Sequence, residues 1–93
     1  MIHNEKGFWA ITEICLNYIN KETCYANFRC YPTQEDAENF TNEIESEEQL
    51  SLKISSSKFD DFFSDELLDN KGITAKGQAY KYFQEEWQYF FSK

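Results

Sequence analysis

Basic residues are scarce in this chain. Nine Lys and Arg stand against seventeen Asp and Glu, which gives a formal charge of −8 over 93 residues. Phosphate affinity rests mostly on lysine and arginine, so direct binding to DNA, RNA or an anionic membrane is not expected. Histidine occurs once, at His3, and the three cysteines, Cys15, Cys24 and Cys30, contain no CxxC pair. That spacing argues against a zinc site. Asp65, Glu66 and Asp69 lack the alternate ligand positions and the glycine of a calcium loop. No nucleotide or cofactor motif is present, and no cofactor is expected. No apolar run approaches the ~20 residues of a membrane span, and the first residues lack the basic-then-apolar pattern of a signal peptide. The expected setting is cytoplasmic, with reduced thiols. Glycine and proline are few, three and one, and 41% of the residues are hydrophobic, which excludes a disordered chain.

Aromatic residues are plentiful: nine Phe, six Tyr and two Trp. Each can bury a large apolar area, which offsets the thin core available to a short chain. A single globular domain over residues 1–93 is expected, with residues 1–6 as a flexible polar tail. The densest aromatic stretch, Thr74–Phe91, reads as a long helix capped by Thr74. At 100° per residue, Ala79, Tyr80, Phe83, Trp87, Phe90 and Phe91 share its core-facing side. Tyr82, Glu85, Glu86 and Tyr89 fall on the reverse, a tyrosine–carboxylate surface suited to a protein interface. Half-exposed tyrosines with no partner are the plain alternative.

Upstream, alternation marks strands. Phe8, Ala10, Ile14, Leu16 and Tyr18 share one face of a long first strand. Cys24, Ala26, Phe28 and Cys30 share one face of a second. A three-residue loop, Lys21–Thr23, pairs Leu16 with Phe28 and Ile14 with Cys30 and keeps the faces unmixed. That register puts Cys15 opposite in sense to Cys24 and Cys30, so no intrachain disulfide is expected. Leu50, Leu52 and Ile54 mark a third strand. A right-handed crossover through an intervening helix places it beside the first. The expected fold is therefore α+β, a three-stranded antiparallel sheet in the order 2-1-3 with an acidic crossover helix, a short helix and a long aromatic C-terminal helix. Its second face would carry Trp9, Ile11, Ile19, Tyr25 and Tyr31, an apolar surface awaiting either the last helix or a partner.

Acids gather in two places. The crossover helix is expected from Thr33 to about Glu48, with a narrow apolar stripe of Ala37, Phe40 and Ile44. It carries Glu35, Asp36, Glu38, Glu43, Glu45, Glu47 and Glu48 with no base among them. A short helix at the i, i+4, i+8 spacing of Phe59, Phe63 and Leu67 carries Asp60, Asp61, Asp65, Glu66 and Asp69 outward. Solvation is the ordinary use of such charge. Adjacent carboxylates on a helix diverge by 100°, so neither Asp60–Asp61 nor Glu85–Glu86 forms an acid–base couple, and an enzyme is not expected. The leading expectation is a small inhibitory protein. It would block a basic, nucleic-acid-binding surface of a larger partner, its carboxylates standing in for phosphates. In size and charge the chain resembles the small acidic anti-restriction and anti-CRISPR proteins of phages and mobile elements. The alternatives are a toxin-neutralising immunity protein, or an oligomerisation module that self-associates through the apolar sheet face. The expected contact residues are the acids of 35–48, then Asp60, Asp61, Asp65, Glu66, Tyr82, Glu85, Glu86 and Tyr89.

Overall fold

A computed structural model of the chain describes residues 1–88. The fold is α+β with an antiparallel sheet, and the sheet has four strands: β1 (Ile2–Asn4), β2 (Gly7–Cys15), β3 (Tyr25–Tyr31) and β4 (Leu50–Lys53). The order is β1-β2-β3-β4, every neighbouring pair antiparallel. The expected order, with the Leu50 strand beside the first long strand, is thus corrected: β4 lies against β3. Antiparallel neighbours in sequence need only a return connection, whereas the crossover would have required the acidic helix to pass over the sheet.

The expected tail is the fourth strand. Ile2 and Asn4 point inward and are buried. Asn4 Oδ1 accepts from Trp9 Nε1 and from the Lys6 amide, both at 2.9 Å, so a buried amide secures the β1–β2 turn. Gly7, with φ 145°, closes that turn where a Cβ would sit 2.5 Å from the Tyr31 carbonyl oxygen. Polar composition hid this strand, because its one apolar side chain and one buried amide do not make a periodic signal.

Thr12 changes the geometry of β2. Ile11 pairs with Phe28 and Glu13 with Asn27, leaving Thr12 as the extra residue of a β-bulge. Before the bulge odd-numbered side chains face the core; after it even-numbered ones do. Trp9 and Ile11 therefore join Ile14 and Leu16 in one cluster with Ala26, Phe28, Cys30, Leu52 and Ile54. The expected pairing of Leu16 with Phe28 and Ile14 with Cys30 is replaced by Ile11 with Phe28, Trp9 with Cys30 and Ile14 with Ala26. β2 ends at Cys15, and a longer connection, closed by a 3₁₀ turn at Lys21–Thr23, leads to β3. All three cysteines are free, with Cys24 and Cys30 buried.

Three short helices cover the sheet: α1 (Gln34–Asn39), α2 (Phe59–Phe63) and α3 (Ala75–Glu86), with a π-helical turn at Glu66–Asn70 after α2. α2 and α3 pack on the inner face, where Phe59, Phe63, Ala79, Tyr82 and Phe83 complete the main core. Phe28 meets Phe83 edge-on at 5.2 Å, and Phe83 meets Tyr82 at 5.0 Å. α1 packs on the outer face, its Ala37 against Ala10 and Tyr31. The expected apolar second face is therefore absent. Trp9 and Ile11 are in the core, Tyr31 lies under α1, and the open part presents Glu13, Tyr25, Asn27, Ser51 and Lys53. Beyond β1, the Ile11 amide on the β2 edge donates to the Tyr80 hydroxyl at 2.9 Å, so α3 closes an edge that would otherwise stay open.

The bulge yields a test. Removing Thr12 leaves a regular strand in which Trp9, Ile11, Ile14 and Leu16 keep their faces, so the deletion variant should fold with a melting temperature close to that of the parent by circular dichroism. If the strand were regular to begin with, the same deletion would turn Ile14 and Leu16 to solvent and the variant would not fold.

Candidate functional site

The acidic residues expected to form one continuous helix do not. α1 stops at Asn39, and Phe40 caps it in the left-handed region at φ 55°, followed by Asn42 at φ 56°. Asp36 causes the stop. Its carbonyl accepts from the amides of Phe40 and Thr41, and its carboxylate accepts from Thr41 Oγ1 and Asn42 Nδ2, each at 3.1 Å. Thr33 Oγ1 caps the other end by accepting from the Asp36 amide. These bonds, from Asn42 first and then involving Thr33 and Thr41, hold the Asp36 carboxyl below its ordinary value of 3.8.

Past Asn39 the chain becomes a strap round the end of the sheet. The Ile44 amide donates to the Cys30 carbonyl at 2.8 Å, where β3 runs beyond β4, and the Ile44 side chain packs on the main core. Glu43 pairs with Arg29 at 3.2 Å and Glu47 with Lys6 at 3.3 Å. Half-exposed pairs of this kind contribute roughly 0–1 kcal/mol, and they also spend the negative charge of two of the expected contact residues. Glu35, Glu45 and Glu48 stay exposed, and Glu38 accepts from Gln34 Nε2. The expected Ala37–Phe40–Ile44 stripe is likewise divided: Ala37 is buried between α1 and the outer face of the sheet, Ile44 joins the main core, and Phe40 is 49% exposed. Phe40 borders a shallow recess with Thr12, Arg29, Tyr31 and Glu43, and Lys76 lies over its ring at 5.2 Å from the centroid.

The second acidic run stands over the inner face of the sheet, on α2 and the turn after it. α2 anchors Phe59 and Phe63 in the core and turns Asp60 and Asp61 outward. Ser64 breaks the helix at ψ 155°, then receives the amides of Leu67 and Leu68 on its carbonyl and so starts the π-helical turn. The single short helix expected through Leu67 is thus two segments. Asp65, Glu66 and Asp69 are exposed round that turn. Asp60 pairs with Lys21 at 2.8 Å; Asp61, Asp65, Glu66 and Asp69 have no cation within ion-pairing distance among the described residues. The structure therefore keeps Asp60, Asp61, Asp65 and Glu66 on one segment over the inner face, leaves Glu35, Asp36 and Glu38 with α1 on the outer face, and carries Glu43, Glu45, Glu47 and Glu48 round the end of the sheet on the strap.

On α3 the burial differs from the sequence pattern by one helical step. Tyr82, expected outside, is 2% exposed; its ring packs on Phe62 and Phe83, and its hydroxyl accepts from the Ser55 amide at 2.8 Å. Tyr82 is a core residue, not a contact residue. Trp87, expected in the core, is 42% exposed just past the end of the helix. A helix meeting two layers, α2 on one flank and the β2 edge on the other, buries Ala79, Tyr82 and Phe83 and lets Tyr80 reach sideways to Ile11; the periodicity alone cannot say which of two adjacent stripes wins. Glu86 forms an ion pair with Lys58, whose charge is thereby favoured, and Glu85 remains exposed. Tyr89, with Phe90 and Phe91, lies outside the described residues.

What the sequence missed is the loop between β2 and β3. Its apolar side chains were assigned to a strand face, yet Tyr18 and Ile19 are exposed and stand beside α2, where the Tyr18 hydroxyl donates to the Phe63 carbonyl at 2.8 Å. The signal available was Asn17 and Asn20 bracketing the pair, a spacing suited to side-chain-to-backbone turns. Among the described residues no cluster of three metal-ligating side chains occurs, and no helix is long and apolar enough to cross a membrane. Comparison with known proteins returns nothing: no family model matches the chain, and neither a curated protein nor a solved structure does.

Two stability experiments follow. Tyr82→Phe should lower stability by about 1–3 kcal/mol, because the Ser55 amide loses its acceptor in a half-buried position. Trp87→Ala, at a 42% exposed position, should change melting far less. For Asp36 the folded pKa is depressed, so its contribution is complete above the ordinary value of 3.8 and is lost as pH falls through the lower folded value. Asp36→Asn should accordingly be less stable than the parent at neutral pH, and the difference should narrow on acidification in denaturant titrations.

Proposed function

We propose that this chain is a small acidic inhibitory binding protein that occupies a basic, nucleic-acid-binding surface of a larger protein, of the anti-restriction or anti-CRISPR type. The observation that carries the reading is the row of exposed carboxylates along α2 and the turn after it. Among the described residues Asp61, Asp65, Glu66 and Asp69 have no cation partner, while Phe59 and Phe63 on the same segment are locked in the core. Preorganised charge of one sign costs little to dock, since no side-chain ion pair has to break and the backbone beneath is already ordered.

Lysines and arginines that bind phosphate would meet this row at comparable charge density, and the net −8 of the chain would speed the encounter. The acids of 35–48 contribute to the long-range field; Glu43 and Glu47 act inside the fold, holding the strap to Arg29 and Lys6. The mechanism is competition: the inhibitor and nucleic acid require the same cations. No bond is made or broken, and the protein acts as a ligand and not as an enzyme.

Displacement of labelled duplex DNA or RNA from a panel of basic nucleic-acid-binding proteins tests this. The parent should displace nucleic acid from at least one of them at low salt, with affinity falling steeply as ionic strength rises. Replacing the four acids together (D61N, D65N, E66Q and D69N) should weaken displacement at least ~10-fold with the fold intact by circular dichroism. A parent that displaces nucleic acid from none, or a neutralised variant as effective as the parent, overturns the reading.

A further inference from the structure

We propose that Ile19 is an apolar anchor, and that the partner presents to it an apolar socket bordered by lysine or arginine. The inference rests on the acidic reading of the α2 surface and adds to it what a charge row lacks, a contact that tells one basic protein from another.

Ile19 is 100% exposed, and Tyr18 beside it is 45% exposed. A fully exposed isoleucine is ordinary on a loose loop. This loop is not loose. Asn17 Oδ1 accepts from the amides of Ile19 at 3.0 Å and Asn20 at 2.8 Å, which fixes the backbone on both sides of the Ile19 peptide. The Asn17 amide donates to the buried Cys24 sulfur at 3.2 Å, and Thr23 returns its amide and hydroxyl to the Asn20 carbonyl. The Tyr18 hydroxyl is tied to the Phe63 carbonyl, its ring packs edge-on against Phe59 at 5.0 Å, and Lys21 is held by Asp60. Every side chain bracketing Ile19 is thus spent on holding the loop, and the one side chain held out does nothing for the fold. A large apolar group displayed from a backbone that is already ordered leaves only its side-chain rotamers to be fixed on docking, which lowers the cost of using it as an anchor.

The charge around it selects the partner. The loop lies against α2 through Tyr18 and Lys21, on the side of the fold that also carries Asp65 and Asp69. The Tyr18 hydroxyl registers them: burial first, then the fields of Asp65 and Asp69, push its pKa up. Lys21, which follows in the same connection, is already paired with Asp60. An apolar tip on an acidic side of the fold complements an apolar socket bordered by cations. It does not suit a second copy of this chain, which would bring like charge to like charge.

Two synthetic helical peptides of equal length and equal lysine count serve as probes, one with a leucine stripe between the lysines, the other with serine and alanine in the stripe. In amide NMR titrations of the full chain, the leucine peptide should shift Tyr18–Asn20 together with Asp65–Asp69, and the polar peptide should bind more weakly and shift only the acidic segment. Ile19→Ser should weaken the leucine peptide about 10- to 100-fold, the value of burying one isoleucine, and leave the polar peptide unchanged. Because Ile19 is fully solvated in the fold, the variant's remaining amide spectrum should overlay the parent's. Equal binding of the two peptides, or an Ile19→Ser variant that binds the leucine peptide as the parent does, overturns the anchor while leaving the acidic surface standing. Failure of both peptides to shift residues 60–69 overturns the acidic surface and the anchor with it.

Discussion

In a regular antiparallel ladder side chains alternate, so a strand without a bulge can feed one core along its length only if its apolar residues keep one parity. β2 does not keep one. Trp9 and Ile11 are odd, Ile14 and Leu16 even, and the extra residue at Thr12 lets both pairs face inward. Much of the fold depends on that insertion. It places Trp9 opposite Cys30 and Ile11 opposite Phe28, which builds the sheet side of the main core. It leaves Ala10 and Tyr31 on the outer face, where Ala37 of α1 covers them. At the same height along β2, where β1 has ended, the free Ile11 amide finds the Tyr80 hydroxyl and draws α3 along the edge.

Charge is arranged round this frame in two unlike ways. The acids after α1 belong to a strap whose path is set by short-range bonds, and their carboxylates are partly consumed in setting it: Asp36 by Thr41 and Asn42, Glu43 by Arg29, Glu47 by Lys6. The acids after α2 ride on a segment fixed by its aromatic side chains, so their carboxylates are left over. Sequence counts the two runs as equal in kind. What separates them is that one segment is held by its polar groups and the other by its apolar ones. A surface available to a partner arises where the fold can be maintained without the polar groups displayed there.

The same division explains the exposed apolar residues. Phe40 lies over the outer-face cluster, edge-on to Tyr31 at 6.2 Å and under Lys76, so part of its area serves the fold even in a left-handed backbone that favours glycine. Ile19 has no such contact, and its loop is stiffened by neighbours on both sides.

By itself the sequence determined the class of fold, the burial of Cys24, Ala26, Phe28 and Cys30 on one face of β3, the inward run of Leu50, Leu52 and Ile54, and the Thr33 and Thr74 caps. These are local statements, set by a period of two or by one side chain meeting the next turn. The tertiary structure decided the rest. No period could reveal that Thr12 is supernumerary, because a bulge is defined only against a partner strand. Nor could composition turn Ile2 and Asn4 into an edge strand, since the amide of Asn4 is made useful by Trp9, across the turn. The choice between Tyr82 and Trp87 for the core was made by α2 and by the Ser55 amide, neither of which is visible from the helix itself. The end of α1 was decided by the competition of Asp36, Thr41 and Asn42 for one another against the further turns of helix expected as far as Glu48. That competition ends α1 on the outer face and sends the remaining acids of the first run round the end of the sheet along the strap.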